Sequence, residues 1–263
     1  MTCGRVSDRK EGAGQASRQK KPQREDSKIR ANLRQMIVTV AAVVLLATGP
    51  LQAQQKEEQR VRNAGTVLKE ILNVPDDIPE QLLDKAECVI VFPSVIKFAF
   101  AFGASYGRGA MTCRSGRNFA GPWSAPTMMA LEGGSFGFQL GGQATDFVLL
   151  VMNPRGADSI LSSKVKLGVG LSAAAGPKGR DVGAATDAVF RAEVLSYSRS
   201  RGLFAGAFLE GATLRPDNDA NKRIYHQSIT AKETVLEGKV SPPPASKELI
   251  SELNTRSPKN LSD

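Results

Sequence analysis

The stretch GPWSAPTMMALEGGSFGFQLGGQATDFVLLVMN, Gly121 to Asn153, decides the fold. Within it Phe136, Phe138 and Leu140 alternate with Gly137, Gln139 and Gly141, and Phe147 to Met152 is continuously apolar. Side chains on a strand alternate faces with period two. The first run therefore predicts a half-buried strand with Phe136, Phe138 and Leu140 toward the core, and the second a fully buried strand. Glycines on the other face leave the backbone bare, which suits a bulge, a sharp bend or a close neighbour. Trp123, the only tryptophan, stands between Pro122 and Pro126. Those prolines favour a buried anchor over insertion of the ring at an interface. The stretch reads as a rigid β scaffold and offers no catalytic group.

Outward from it the β pattern continues on both sides. Val89 to Phe92 is an apolar run stopped by Pro93, Phe98, Phe100 and Phe102 alternate with alanines, Gly103 to Gly109 predicts a glycine-punctuated bend, and Ala110 to Arg114 a short strand. Ala157 to Ser163 predicts one or two helical turns. Val165, Leu167, Val169 and Leu171 alternate as a strand, and Ala173 to Arg180 reads as a loop. Val189 to Ser198 and Gly202 to Leu214 read as a last hairpin across Arg199-Ser200-Arg201.

Helices flank this β-rich part. Gln54 to Leu72 places Val61, Ala64, Leu68, Ile71 and Leu72 at helical spacing, an apolar side to pack on the domain. A short helix after Pro75 would be capped by Asp77, with Glu80 three residues on. Pro216 to Asp219 opens a helix carrying Tyr225, Thr230 and Glu233 form a T-x-x-E capping box, and Pro242 to Pro244 precede a helix near Ser246 to Leu253. The expected fold is α+β: a glycine-rich, mainly antiparallel sheet or barrel with helices at its N- and C-terminal ends. Residues 54–255 are expected to form a single domain, and 256–263 a disordered tail.

Residues 1 to 35 hold ten Lys or Arg against four Asp or Glu, and Met36 to Ala47 (MIVTVAAVVLLA) is a short apolar run. Basic lead, apolar centre and small residue predict a secretory signal over residues 1–53 with cleavage near Ala53, and an exported protein, periplasmic or extracellular. The apolar run falls short of the roughly 20 residues a comfortable membrane span requires. Six of the nine positive charges leave with the signal, so the remainder is nearly balanced and nucleic acid is not an expected partner. Cys88 and Cys113 remain, each beside a predicted strand; they either pair in an oxidising compartment or stay as two buried thiols. With His226 they do not make a zinc site, and neither metal nor cofactor is expected.

Two motifs mimic chemistry, and the glycine-rich strands mimic one architecture. Gly103-Ala104-Ser105-Tyr106-Gly107 fits G-x-S-x-G, with Asp187 and His226 following in hydrolase order, but a nucleophile elbow needs a helix directly after the serine and a strand is predicted there. Gly168-Val169-Gly170-Leu171-Ser172-Ala173 fits a dinucleotide phosphate loop, yet Gly176-Pro177 cuts off the helix it needs. An outer-membrane barrel would want strands of about 9–11 residues and aromatic girdles; the predicted strands are mostly shorter and aromatics few.

The blocks VIVFPSVIKFAFAFGASYGRG (Val89 to Gly109), GPWSAP (Gly121 to Pro126), GSFGFQLGGQATDFVLLVMN (Gly134 to Asn153), SRSRGLFAGAFLEGATLRPD (Ser198 to Asp217) and IYHQSITAKETVL (Ile224 to Leu236) resemble the SYLF-domain family, in the family's order, across roughly residues 60 to 238. The resemblance implies a non-enzymatic module that binds phosphoinositides or other acidic phospholipids, with actin binding in particular eukaryotic members. The signal-like front and the absence of an SH3 or FYVE-like sequence within these 263 residues mark an exported, bacterial-type member. They shift the expected partner to an acidic phospholipid or another component of the envelope. The candidate lipid-binding residues are Lys164, Lys166, Lys178 and Arg180 around the glycine-rich loop, with Arg60, Arg62 and Lys69 of the first helix as a second set. The other function class is a structural module with a protein partner.

Overall fold

A computed structural model describes residues 23–74, 78–100, 102–136, 141–177, 191–200, 209 and 211–262. Contacts divide the chain into two units, Met1–Gly49 and Pro50–Asp263. In the first, the described residues are helical from Gln23 onward. That helix, α1, runs Gln23–Leu72. No helix among the described residues is long and apolar enough to cross a membrane.

Within the second unit follow α2 (Glu80–Asp84), strands β1 (Cys88–Phe100), β2 (Phe102–Cys113), β3 (Thr127–Phe136) and β4 (Gly141–Val151), α3 (Pro154–Ser162), β5 (Val165–Lys166), β6 (Ala173–Ala175), β7 (Val194–Ser200), β8 (Thr213–Pro216), α4 (Asn218–Tyr225), α5 (Ala231–Val235) and α6 (Lys247–Arg256). The described strands form one sheet in the order β5-β8-β3-β2-β1-β4-β7-β6, antiparallel except for the β6–β7 pair. The α+β class expected from the sequence holds.

Alternation decides the layers. On β1 and β4, Val89, Val91, Val148 and Leu150 join Val61, Ala64, Leu68 and Leu72 of α1 in one buried cluster. Ile90, Phe92, Phe147, Leu149 and Val151 point the other way, into a cluster with Ile160 of α3, Leu214 of β8 and Val235 of α5. The continuous apolar run of β4 is thus buried on both faces, because helices cover both. Gly65 lets α1 and α6 approach closely: a Cβ there would lie 2.8 Å from the Leu249 backbone nitrogen.

Several expectations need correction. β1 continues through Pro93; the register shifts between Phe92 and Val95, and Ser94 sits at φ 59 with its N–H on Asp146. A bulge tolerates proline because its missing N–H is not needed by the ladder. Gly103 to Gly109 is strand, not bend: a Cβ on Gly109 would come within 2.1 Å of the Val91 carbonyl oxygen, so glycine is what lets β2 lie beside the bulge. β3 begins at Thr127, ahead of the alternating run, and β1 to β4 are 10 to 13 residues long, longer than expected. Phe138 and Leu140 lie outside the described residues, and of Phe136 only the backbone is described. Most of the second arm of the expected hairpin, residues 201–208 and 210, lies outside the described residues; β7 joins β4 and β6, while β8 joins β3 and β5 on the other side of the sheet. Ala173–Ala175 is a strand, not a loop. α2 starts behind Pro79 without a side-chain cap, and Asp77 is outside the described residues.

The C-terminal segment is also corrected. Residues 257–262 are held, not disordered. Ser257 is buried, its carbonyl accepts from Trp123 Nε1 at 2.9 Å and Arg114 Nη2 at 2.8 Å, and Arg114 Nη2 also reaches Ser257 Oγ at 2.7 Å and the Lys259 carbonyl at 2.8 Å. The guanidinium of Arg114 lies 4.0 Å from the centre of the Trp123 ring, and Leu261 N–H donates to Asp84. Trp123 is the buried anchor expected, with the tail as its partner. Cys88 and Cys113, directly opposite on β1 and β2, form a disulfide.

Candidate functional site

The sequence placed a basic patch around the glycine-rich loop, and the loop has a definite form. Val165–Lys166 pairs with Leu214 and Thr213 of β8, and the chain then turns on itself. The Lys166 carbonyl accepts from the N–H groups of Val169, Gly170 and Leu171, at 3.3, 2.7 and 3.3 Å, and Gly168 N–H donates to the Leu171 carbonyl at 2.8 Å. Gly168 takes φ 79, which a residue with a Cβ resists. Leu167 and Leu171 are buried at the base of the turn, and Val169, which alternation had put on a strand, stands at its tip with 78% of its surface exposed. Lys164 and Lys166 are exposed beside it. Lys178 and Arg180 lie outside the described residues. Gly168 to Gly170 therefore make a tight turn and the chain enters β6 at Ala173, so among the described residues no helix N-terminus follows the glycines directly to cradle a phosphate.

The second set is engaged with acids. Arg60 pairs with Glu57, Arg62 lies 3.5 Å from Glu58, and Lys69 lies 3.3 Å from Glu248 of α6. Val61, Ala64, Leu68, Ile71 and Leu72 are all buried, so the apolar side of α1 packs on the domain.

Arg60 belongs to a cluster that sequence reasoning missed. Glu57 of α1, buried, accepts from Arg223 Nε and Nη2 of α4 at 3.1 and 2.8 Å, and Arg108 Nη1 of β2 stands 3.9 Å away. Arg108 Nε lies 3.3 Å from Asp217, the residue that caps α4 by accepting from Ala220 N–H. Burial works against the Arg108 charge, but the Tyr106 hydroxyl and the Asp217 and Glu57 carboxylates outweigh it and raise its pKa. Alongside, Arg215 of β8 pairs with Glu132 of β3, and that hydrogen bond holds the Glu132 carboxyl below its ordinary range. Arg108 and Arg223 lie 51 and 166 positions from the Glu57 they meet. Spacing gave no sign of them.

Ser105 sits in the middle of β2, opposite Lys97 of β1 and Gly133 of β3. That is no strand-to-helix elbow, and His226, at the C-terminal cap of α4 with φ 56, is exposed. Asp187 lies outside the described residues. Tyr225 donates to the Pro126 carbonyl, tying α4 to the segment behind Trp123. The fold is a sheet scaffold with apolar faces covered by helices, an arginine cluster around Glu57 and no catalytic constellation among the described residues.

Comparison with known proteins agrees. The family model described as Ysc84, Las17-binding protein actin regulator, matches residues 132–256. An SH3 domain-containing protein of Schizosaccharomyces pombe is 34% identical over 217 residues, 79% of this chain and 49% of that protein. LAS seventeen-binding protein 3 of Saccharomyces cerevisiae is 31% identical over 210 residues, 78% of this chain and 44% of that protein. SH3 domain-containing YSC84-like protein 1 of Xenopus laevis is 32% identical over 213 residues, 78% of this chain and 62% of that protein. The chain spans about half the length of the first of these relatives. It belongs to the SYLF (Ysc84) family.

Proposed function

We propose that this chain is a non-enzymatic binding module that docks on acidic phospholipid, phosphoinositide-like headgroups included, through the Lys164–Leu171 turn, in an exported protein. The observation that supports this reading is Val169: a large apolar side chain held 78% exposed at the tip of a turn whose base is buried, with Lys164 and Lys166 exposed beside it. At a bilayer such a valine enters the acyl boundary while the lysines meet phosphate. Each lysine near an anionic surface contributes about 1 kcal/mol, and burying Val169 about 2 kcal/mol. Lys178 and Arg180 extend the same patch in sequence.

The test is vesicle flotation at low salt. Neutralising Lys164 and Lys166 to glutamine is expected to lower partition into phosphatidylserine-containing vesicles about thirtyfold. Val169→Asp is expected to lower it at least about tenfold. Unchanged partition in both variants would overturn the reading.

The relatives' names favour a second reading, a surface for a protein partner, since two are named for binding Las17 or for the Ysc84 likeness. A chain that ignores anionic vesicles but is retained by a protein partner through the same turn would support it.

A further inference from the structure

We propose that Arg60, Arg108 and Arg223 form a second anion site, distinct from the Val169 turn, that takes a phosphate group. Three elements, α1, β2 and α4, bring these guanidiniums together around the single carboxylate of Glu57, with Arg223 at 2.8 Å, Arg60 in direct contact and Arg108 at 3.9 Å. Groups that converge on one carboxylate also lie within reach of one phosphate.

The acids sit beneath and the guanidiniums above. The side chains of Glu57 and Asp217 are 3% and 5% exposed, those of Arg60, Arg108 and Arg223 25%, 30% and 31%. Donor accounting leaves capacity on the outer side. Glu57 Oε1 takes two bonds from Arg223 and Oε2 one from Arg60, while Asp217 Oδ1 is occupied by the Ala220 N–H. Among the described residues Arg108 Nη2, Arg223 Nη1, and Arg60 Nε and Nη2 have no hydrogen-bond partner.

Charge accounting points the same way. Three guanidiniums face two buried carboxylates, so one positive charge stays uncompensated in a partly desolvated place. An ion network built only to join helix and sheet gains most from balance, because unpaired charge away from water is costly. The neighbouring Arg215–Glu132 pair is balanced within itself. Arginine forks held by buried acids have already lost much of their rotamer freedom, and their planar donors match phosphate oxygens two at a time. The source is either a soluble phosphate or the phosphate of a lipid headgroup.

The full chain is titrated calorimetrically with inorganic phosphate at fixed ionic strength, and in parallel floated with phosphatidic acid vesicles. Saturable binding in the first arm identifies a soluble source; binding in the second alone identifies a membrane source where the arginine variants lose it, and belongs to the Lys164 turn where they keep it. Arg108→Gln and Arg223→Gln are expected to weaken it about tenfold or more in the arm that shows binding. Where a glutamine variant fails to fold, Arg108→Lys keeps the charge, loses the fork and is expected to show the same loss. In the wild type, the Nε–Hε resonances of the three arginines are expected to shift on titration. No saturable binding in either arm, or binding undiminished in the folded arginine variants, overturns the proposal. Vesicle binding that survives in the arginine variants and falls in the Lys164→Gln, Lys166→Gln chain rejects this site and leaves the Val169 reading standing; the opposite pattern does the reverse.

Discussion

Replacing Arg114 by methionine tests how the C-terminal segment is held. Arg114 is fully buried, and its Nη2 makes three hydrogen bonds to Ser257 and Lys259 while its face lies on Trp123. Burial lowers its pKa, against the pull of Asp84 and Glu87, so the charge is expensive to keep there. Hydrogen bonds from a charged donor are worth about 1.5–3 kcal/mol each, and the contact with the indole about 1–2 kcal/mol. Against that sum stands the recovered cost of burying a guanidinium, several kcal/mol. Ser257 keeps its bond from Trp123 Nε1 and its own bond to the Leu83 carbonyl, so the Lys259 carbonyl is the acceptor left bare. The net expectation is a loss of about 3 kcal/mol, or a fall in Tm of about 6–12 °C for a unit of this size. Urea unfolding followed by the fluorescence of Trp123 measures it, and hydrogen exchange of residues 257–262 is expected to accelerate in the variant. A loss under about 0.5 kcal/mol with the segment still protected would refute the latch.

Other consequences are as direct. The Glu233 carboxyl, bonded by Lys239 and by the N–H and hydroxyl of Thr230, is held down to about 2. A carboxyl depressed in the folded state stabilises it above its unfolded pKa, so this contribution is complete above about pH 4.5 and lost as pH falls toward 2. An NMR titration of Glu233 with a midpoint near 4.3, the ordinary value, would contradict the capping box. The Cys88–Cys113 bridge closes a loop across 25 residues, so reduction is expected to cost about 3 kcal/mol in urea unfolding. A reduced chain as stable as the oxidised one would show that the strand pairing alone holds the hairpin. Gly109→Ala forces a Cβ onto the Val91 carbonyl and is expected to cost more than about 2 kcal/mol, where an exposed Gly→Ala change would cost nothing or stabilise.

Much of the fold was legible where local pattern and tertiary burial agree. Val61, Ala64, Leu68, Ile71 and Leu72 sit at helical spacing and all are buried; Phe147 to Val151 reads as a strand covered on both faces and is one. The Thr230–Glu233 capping box is formed as its spacing predicts, and the helix bearing Tyr225 begins behind Asp217. What failed depends on partners distant in sequence. Gly107 and Gly109 look like a bend, but their missing side chains make room for Val95 and Val91. The segment after Thr255 is polar and so reads as tail, whereas a buried arginine and tryptophan supply it with partners. At the candidate site, the lysines were visible as charges, but Val169 was hidden in a strand-like alternation that the Gly168 turn interrupts. Arg108 and Arg223 carry no sequence signal, since their meeting point is Glu57, set by the packing of α1 and α4 on the sheet.

The central claim, that this chain binds acidic phospholipid, is tested most directly by floating the wild-type chain with phosphatidylserine-containing vesicles and with neutral phosphatidylcholine vesicles at low and at high salt. The account predicts recovery with the anionic vesicles alone, falling as salt screens the lysines. Equal recovery with both vesicle types, or none with either at low salt, would contradict it.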